Sequence, residues 1–180
     1  MKQARYLFAT LLLATAGCAA TTEGGGSDSG EMRATASIRD PAGRVLANAT
    51  LREQGGEIRV RVEAAGLPAG SYGTHVHTTG LCEGPAFASA GGHWNPTSRQ
   101  HGTENPQGPH KGDLPNLSVD ASGRGSVEYA IAGAALAGGS AGLLDADGAA
   151  VVVHAKSDDY RTDPSGNSGD RIACGVVSRG

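Results

Sequence analysis

From Arg33 onward, short runs of alternating hydrophobic and polar residues are separated by turn residues. The clearest run is 57–63, in which three β-branched residues alternate with charged ones, as expected of a strand with one buried face. A second such run, Val45 to Leu51, precedes it, and Gly55-Gly56 lies between the two. A glycine pair between two alternating segments predicts a β-hairpin.

Six further segments have strand-like composition, and turn signals such as Asp40-Pro41-Ala42-Gly43 separate them. They are Ala34–Ile38, Tyr72–His77, Leu117–Val119, Ser126–Ile131, Val151–His154 and Ile172–Val177. The alanine-rich stretch 132–144 contains four glycines, which argue against a helix there. Eight short strands predict an all-β fold, a Greek-key β-sandwich or flattened eight-stranded barrel.

Alternation is lost from Thr78 to Pro115, a stretch rich in Gly, Pro, Asn and His. It is far longer than an ordinary connection between strands, so it is expected to be either a functional loop or a disordered segment. The chain has 180 residues, enough for one domain with an ordinary core.

The N-terminal residues predict export from the cytoplasm. Lys2 and Arg5 precede an apolar run from Leu7 to Ala16, typical of a secretory signal over residues 1–17 and too short to span a bilayer. Thr15-Ala16-Gly17-Cys18 resembles the bacterial lipobox, in which the cysteine is lipidated and becomes the mature N-terminus. The alternative is an ordinary signal peptide cut near Ala19 or Ala20. Both interpretations place the domain outside the cytoplasm.

Residues 18–32 are predicted to be the lipidated cysteine and a flexible tether, because 21–31 are rich in Gly, Ser and Thr and lack apolar periodicity. The domain is then 33–180. Removal of Lys2 and Arg5 leaves 15 − 2 = 13 basic residues against 18 acidic ones, a net charge of −5. This balance argues against nucleic acid as a partner.

The three cysteines fit an oxidising compartment. With Cys18 assigned to the anchor, Cys82 and Cys174 remain. Two cysteines so far apart in sequence are, in that compartment, better explained as a disulfide than as metal ligands or a nucleophile.

All six histidines lie near the long loop or at the end of a strand. His75 and His77 are two apart on a predicted strand, so their side chains emerge on one face and can bind one metal. Such a pair by itself is common on surfaces without any ligand. His93, His101, His110 and Asp113 follow in the loop, and three imidazoles with one carboxylate form a closed tetrahedral zinc site. Zinc would also order a loop that has little core of its own.

Several short motifs occur in the order found in one family. They are 73–77 (GTHVH), 91–96 (GGHWNP), 100–102 (QHG), 110–114 (HKGDL), 152–154 (VVH) and 171–176 (RIACGV). Over residues 33–177 the chain resembles the copper and zinc superoxide dismutases, and specifically the bacterial, lipoprotein type.

The resemblance implies a role for each site residue. Copper is expected on His75, His77, His93 and His154, and zinc on His93, His101, His110 and Asp113, with His93 bridging the two metals. Asp158 is expected to hydrogen-bond His75 and His101, and Arg171 to guide the anionic substrate to copper. His93 and Arg171 are therefore the expected catalytic residues.

The implied activity is conversion of superoxide into dioxygen and hydrogen peroxide, with one copper and one zinc per subunit. The expected setting is a membrane lipoprotein, periplasm-facing or on the cell surface, which protects the cell envelope and can form a homodimer.

The chain departs from the family pattern at Thr74, Trp94 and Ser165, and the segment 156–170 is a short, acidic version of the electrostatic loop. A non-enzymatic copper-handling module and a zinc-stabilised adhesion domain are the competing hypotheses. The complete set of four histidines and Arg171 favours the enzyme.

Overall fold

A computed structural model describes Met1 and residues 31–139 and 142–180. The predicted signal segment (1–17), Cys18 and nearly all of the tether lie outside the described residues. Within the described ranges, no helix is both long enough and apolar enough to cross a membrane.

The described part of the chain contains ten strands, one 3-10 helix (Ala88–Ala90) and no α-helix, which confirms the all-β prediction. The strands are β1 (Arg33–Arg39), β2 (Val45–Gln54), β3 (Glu57–Ala64), β4 (Gly70–Tyr72), β5 (Thr74–His77), β6 (Leu117–Val119), β7 (Ser126–Ala132), β8 (Ala150–His154), β9 (Arg171–Val176) and β10 (Ser178–Arg179).

Eight strands form one curled antiparallel sheet in the order β5-β8-β9-β1-β2-β3-β7, with β10 paired to β1. The predicted hairpin is present, since Gln54 pairs with Glu57 at its turn. β4 and β6 form a separate two-stranded sheet. This small sheet contacts β3 and β7 through β6, while β4 leads directly into β5 at the other edge. The small sheet therefore lies between the two edges of the curled main sheet.

Alternate residues of β1, β2 and β3 point into the core, as the sequence pattern predicts. β8 differs, because all five of its residues are buried. Val151 and Val153 pack in the main core, whereas Ala150 and Val152 pack against Phe87 of the long loop. The continuous apolar run of β8 thus reflects a strand covered on both faces.

The prediction of one strand over Tyr72–His77 was wrong in one respect. Gly73 divides it, so that β4 pairs with β6 and β5 pairs with β8. The Gly73 N–H donates to the carbonyl oxygen of Lys156 (2.8 Å), and a Cβ at this position would lie 2.9 Å from that of Ser168. The change of partner depends on Lys156, 83 residues further along the chain, which alternation cannot show.

Candidate metal centre

β5 and β8 place three histidines on the face covered by the long loop. His75 and His77 lie on β5 and are fully buried, while Val76 between them points into the main core. His154 ends β8, where the pairing with β9 shifts by one residue. An antiparallel bridge between His77 and His93 brings the loop onto this face. The prediction that His75 and His77 share a face is therefore consistent with the strand geometry.

Four imidazoles converge at one point. We call His75, His77, His93 and His154 the imidazole group: one ring nitrogen from each lies within 4.8 Å of the others. His75 Nδ1, His77 Nε2, His93 Nε2 and His154 Nε2 are buried and have no hydrogen-bond partner among the described residues. Unpaired buried nitrogens are costly, and four of them facing one another fit a metal ion that accepts their lone pairs.

The opposite ring nitrogens of three of these histidines are paired, which fixes their tautomers. His77 Nδ1–H donates to the carbonyl oxygen of Gly91 (3.0 Å), and His154 Nδ1–H donates to that of Gly169 (3.1 Å). His75 Nε2–H donates to Asp158 Oδ2 at 2.7 Å. A proton held at the outer nitrogen leaves a lone pair at the inner one, which is the state that binds metal.

A second set surrounds Asp113, and we call His93, His101, His110 and Asp113 the carboxylate group. Asp113 Oδ1 lies 2.9 Å from His93 Nδ1, 3.0 Å from His101 Nδ1 and 3.2 Å from His110 Nδ1. Asp113 Oδ2 accepts the backbone N–H groups of Gly102 (2.9 Å) and His110 (3.0 Å). One carboxylate oxygen is thus fixed by the backbone and the other faces three imidazole nitrogens.

The two groups share His93 and lie against each other. The rings of His75 and His93 stack with centroids 3.9 Å apart. As a result His75 also lies near the carboxylate group: one ligand atom from each of four residues, His75, His93, His101 and Asp113, lies within 4.8 Å of the others. His93 Nδ1 faces Asp113, while His93 Nε2 is unpaired among the described residues. This ring is the one that can serve two metals, one at each nitrogen.

The protonation chemistry of the two groups differs. Burial lowers the pKa of His75 to about 3, that of His77 to about 2 and that of His154 to about 4. These rings are therefore neutral at physiological pH. Burial also opposes the charge on His101, but its hydrogen bonds to Asp113 and Asp158 outweigh that cost and raise its pKa to about 9.

Asp158 joins the two groups from outside. Its Oδ2 accepts from His75 and its Oδ1 accepts from His101 Nε2–H at 3.0 Å. Burial alone would raise the pKa of Asp158, but these hydrogen bonds hold it well below the usual range.

Asn116 makes two hydrogen bonds to the Asp158 backbone. Its Nδ2 donates to the Asp158 carbonyl (2.9 Å), and its Oδ1 accepts the Asp158 N–H (2.8 Å). Asn116 was not predicted from the sequence, because no local signal links residues 42 positions apart.

Arg171 lies at the start of β9 and is held by the long loop. Its Nη1 donates to the carbonyl oxygen of Phe87 (2.8 Å) and its Nη2 to that of Gly91 (2.7 Å), the acceptor shared with His77. A cavity of about 360 Å³ opens here, lined by Arg171, His93, His154 and Ser165, among others. Burial lowers the pKa of Arg171, yet with no carboxylate paired to it among the described residues it presents its charge to that cavity.

The loop that supplies these carbonyls is tied to β9 by a covalent link. Cys82 and Cys174 form a disulfide with a Cα–Cα distance of 5.6 Å, as predicted. The link closes a segment of 92 residues and so fixes the start of the long loop beside Arg171. The presence of a disulfide between these cysteines agrees with the predicted location in an oxidising compartment.

Residues 43–177 match the model of the copper/zinc superoxide dismutase family. The chain belongs to this family. It is 39% identical over 84% of its length to superoxide dismutase [Cu-Zn] 2 of Aquifex aeolicus, covering 90% of that protein. It is also 39% identical over 80% of its length to superoxide dismutase [Cu-Zn] of Caulobacter vibrioides, covering 84% of it. The crystal structure of a SOD-like protein from Bacillus subtilis superposes with a TM-score of 0.74 at 39% identity, covering 79% of this chain and 96% of that one.

Membership of the copper/zinc superoxide dismutases confirms the predicted fold class, and the two groups are consistent with one copper and one zinc. Two of the departures from the family pattern, Thr74 and Trp94, involve packing. Thr74 is buried and its Oγ1–H donates to the carbonyl oxygen of Pro115 (2.8 Å). Trp94, beside the shared His93, packs in the main core. Neither change removes a metal-binding side chain.

Proposed function

We propose that this chain is an enzyme that converts superoxide into dioxygen and hydrogen peroxide. The observation that carries the proposal is the convergence of four buried, unpaired imidazole nitrogens that share His93 with the carboxylate group. A zinc-stabilised adhesion domain has no use for the imidazole group. A copper-handling module would not need Arg171 beside the same cavity.

The donor chemistry divides the metals between the groups. Copper is assigned to His75 Nδ1, His77 Nε2, His93 Nε2 and His154 Nε2, since an all-imidazole set suits copper in both oxidation states. Zinc is assigned to Asp113 Oδ1 and the Nδ1 atoms of His93, His101 and His110, a closed set of four. His110 completes this set in preference to His75, because β5 places His75 beside His77 in the imidazole group.

The chain's own residues then have distinct roles. Copper held by the imidazole group would supply one-electron redox chemistry, by which one superoxide would give up an electron to become dioxygen and a second would take up an electron and two protons to become hydrogen peroxide. His93 Nε2 could hold a proton next to the reacting oxygen only while that nitrogen is not bound to copper, with Nδ1 remaining on the zinc side. The Arg171 guanidinium attracts the anion into the cavity, against the acidic net charge of the chain.

We also propose that the enzyme acts outside the cytoplasm, attached through a lipid on Cys18 and protecting the cell envelope. The Cys82–Cys174 disulfide supports an oxidising location. The test is expression in a bacterium with labelled fatty acid: the wild-type chain should carry label in the membrane fraction, and Cys18→Ala should carry none. A homodimer is a further possibility of the family, and sedimentation of the purified domain distinguishes it from a monomer.

The test of the activity is superoxide decay, followed by pulse radiolysis on protein loaded with copper and zinc. His75→Ala should lower the rate by more than about 100-fold, because loss of a ligand exceeds the effect of losing a ligand's partner. Arg124→Ala, on the exposed turn before β7, is the matched control and should leave the rate unchanged. Full activity of His75→Ala would contradict the copper assignment. A wild-type protein that binds both metals but leaves superoxide intact would favour the copper-handling module.

A further inference from the structure

Asp163 lies in the short connection between β8 and β9 and contacts two residues of the carboxylate group. Its Oδ1 accepts the backbone N–H of His101 at 2.6 Å, across 62 residues of sequence. The same oxygen lies 3.9 Å from His110 Nε2. The Asp163 side chain is 49% exposed, whereas that of His110 is only 8% exposed. A surface carboxylate thus reaches inward to two zinc-site histidines.

The position of Asp163 fills a gap in the arrangement of the zinc-site imidazoles. The outer nitrogen of His101 is paired with Asp158, and that of His93 faces the imidazole group. The outer nitrogen of His110 has Asp163 as its nearest carboxylate partner in the described part of the chain. An imidazole that binds zinc through Nδ1 retains a proton on Nε2, and zinc-bound histidines characteristically donate that proton to a carboxylate, a carbonyl or water.

We propose that Asp163 is a positioning residue for zinc, holding the His101 backbone and orienting the His110 ring. This inference rests on the proposed assignment of zinc to the carboxylate group. At 3.9 Å the contact with His110 is longer than a hydrogen bond, so a small movement closes it or one water bridges it. His101 is then held from two sides by the same connection, at its ring by Asp158 and at its backbone by Asp163.

The two contacts can be separated by substitution. Asp163→Asn keeps an oxygen that can accept the His101 N–H but removes the negative charge facing His110. Asp163→Ala removes both. Asp170 is the matched control, because it is an exposed aspartate in the same connection whose carboxylate has no hydrogen bond or ion pair among the described residues. Asp170→Asn changes the net charge by the same amount.

The experiment measures zinc release from the purified, metal-loaded protein into a chromogenic chelator. Asp163→Ala should release zinc about 10-fold faster than the wild type, within the range known for partners of metal ligands, with Asp163→Asn between the two. Asp170→Asn should match the wild type. A wild-type release rate in both Asp163 variants would overturn the inference, whereas a wild-type protein that binds no zinc would instead contradict the proposed function.

A second measurement distinguishes orientation of His110 from general loosening of the loop. With Co(II) in the zinc site, proton NMR resolves the Nε2–H signals of the bound histidines. In Asp163→Asn the His110 Nε2–H should exchange faster with water, while the His101 Nε2–H, paired with Asp158, should keep its wild-type exchange rate. Equal acceleration at both histidines would show that Asp163 only stabilises the loop, and it would overturn the positioning role.

Discussion

The imidazole group and the carboxylate group share one histidine but are supported differently. Three of the four imidazole-group residues lie on β5 and β8, inside the main sheet, where ladder hydrogen bonds fix the backbone. The carboxylate group lies entirely on the long loop. Isolated bridges join its Asp113 to His75 and its His93 to His77 on β5. The Asp113 and Asp163 carboxylates accept backbone N–H groups of the loop, and Asp158 accepts from the His101 ring. The ladder of the main sheet therefore fixes the proposed copper side, whereas the proposed zinc side is held by isolated bridges to β5, by polar contacts and, when bound, by zinc.

The electrostatic environment follows the same division. Burial keeps His75, His77 and His154 neutral, with pKa values of about 3, 2 and 4. Around Asp113 the hydrogen bonds from His101, His110 and His93 outweigh burial and hold the carboxyl pKa far below its usual range. The imidazole group is thus neutral, whereas in the carboxylate group the charge of Asp113 favours protonated His101, which must lose a proton before its Nδ1 can bind a metal.

The largest expected difference between the two groups, in activity and in melting temperature, should appear when one histidine is removed from each. His77→Ala should abolish copper binding and lower the superoxide decay rate by more than about 100-fold, beyond the loss caused by removing a ligand's partner. The melting temperature of the zinc-loaded protein should change little, because β5 keeps its pairing with β8. His110→Ala should instead lower the melting temperature, since the loop loses its zinc. Calorimetry and pulse radiolysis on both variants check this, and equal thermal effects would remove the distinction.

Removing Asp158 should weaken both groups together. Asp158→Ala leaves His75 and His101 without the partner of their outer nitrogens, so affinity for each metal should fall by about 10-fold to 100-fold. Asp147→Asn, on an exposed turn before β8, is the control and should bind as the wild type does. Competition with chelators measures both affinities. If only one metal were weakened, Asp158 would not couple the two groups.

Arg171 acts on the copper side alone. Arg171→Ala should lower the bimolecular rate with superoxide by about 10-fold and flatten its dependence on salt, because a local positive target is lost. Metal content should stay at the wild-type level. Arg124→Ala serves again as the control for loss of one positive charge. A rate that keeps its full salt dependence in Arg171→Ala would show that steering comes from elsewhere in the chain.

The smallest expected effect comes from replacing a glycine that lies against Asp158. Comparison with a second glycine distinguishes backbone strain from displacement of the Asp158 carboxylate. Gly166 and Gly43 both have positive φ angles, +63° and +82°, so alanine at either should destabilise by about 1 kcal/mol. At Gly43 an added Cβ meets nothing within 4 Å, whereas at Gly166 it would collide with Asp158 Oδ1. Gly166→Ala should therefore unfold at a lower urea concentration than Gly43→Ala and also bind less metal. Identical behaviour of the two variants would show that the Asp158 carboxylate can move without consequence.

Local patterns were sufficient for much of the fold. The hairpin of β2 and β3 followed from alternation and a glycine pair, because each strand buries one face and the turn needs residues that accept positive φ. The division at Gly73 and the two-residue β10 were not predicted. Both depend on a partner far away in sequence, Lys156 for Gly73 and β1 for β10.

The metal centre shows the same difference between features that local sequence patterns predict and features that depend on distant contacts. By itself the sequence was sufficient to predict the order of the proposed ligands, the carboxylate expected to mark the zinc site, the cysteine pair and the arginine, because residue type, spacing and the resemblance to the family are all visible in it. Only the tertiary structure decided which nitrogen of each imidazole faces inward, since the outer nitrogen is paired with Gly91, Gly169 or Asp158, contributed by other segments. It also brought Asn116 and Asp163 into contact with residues of the site. Such contacts join residues tens of positions apart, and they exist only once the barrel has brought the two loops together.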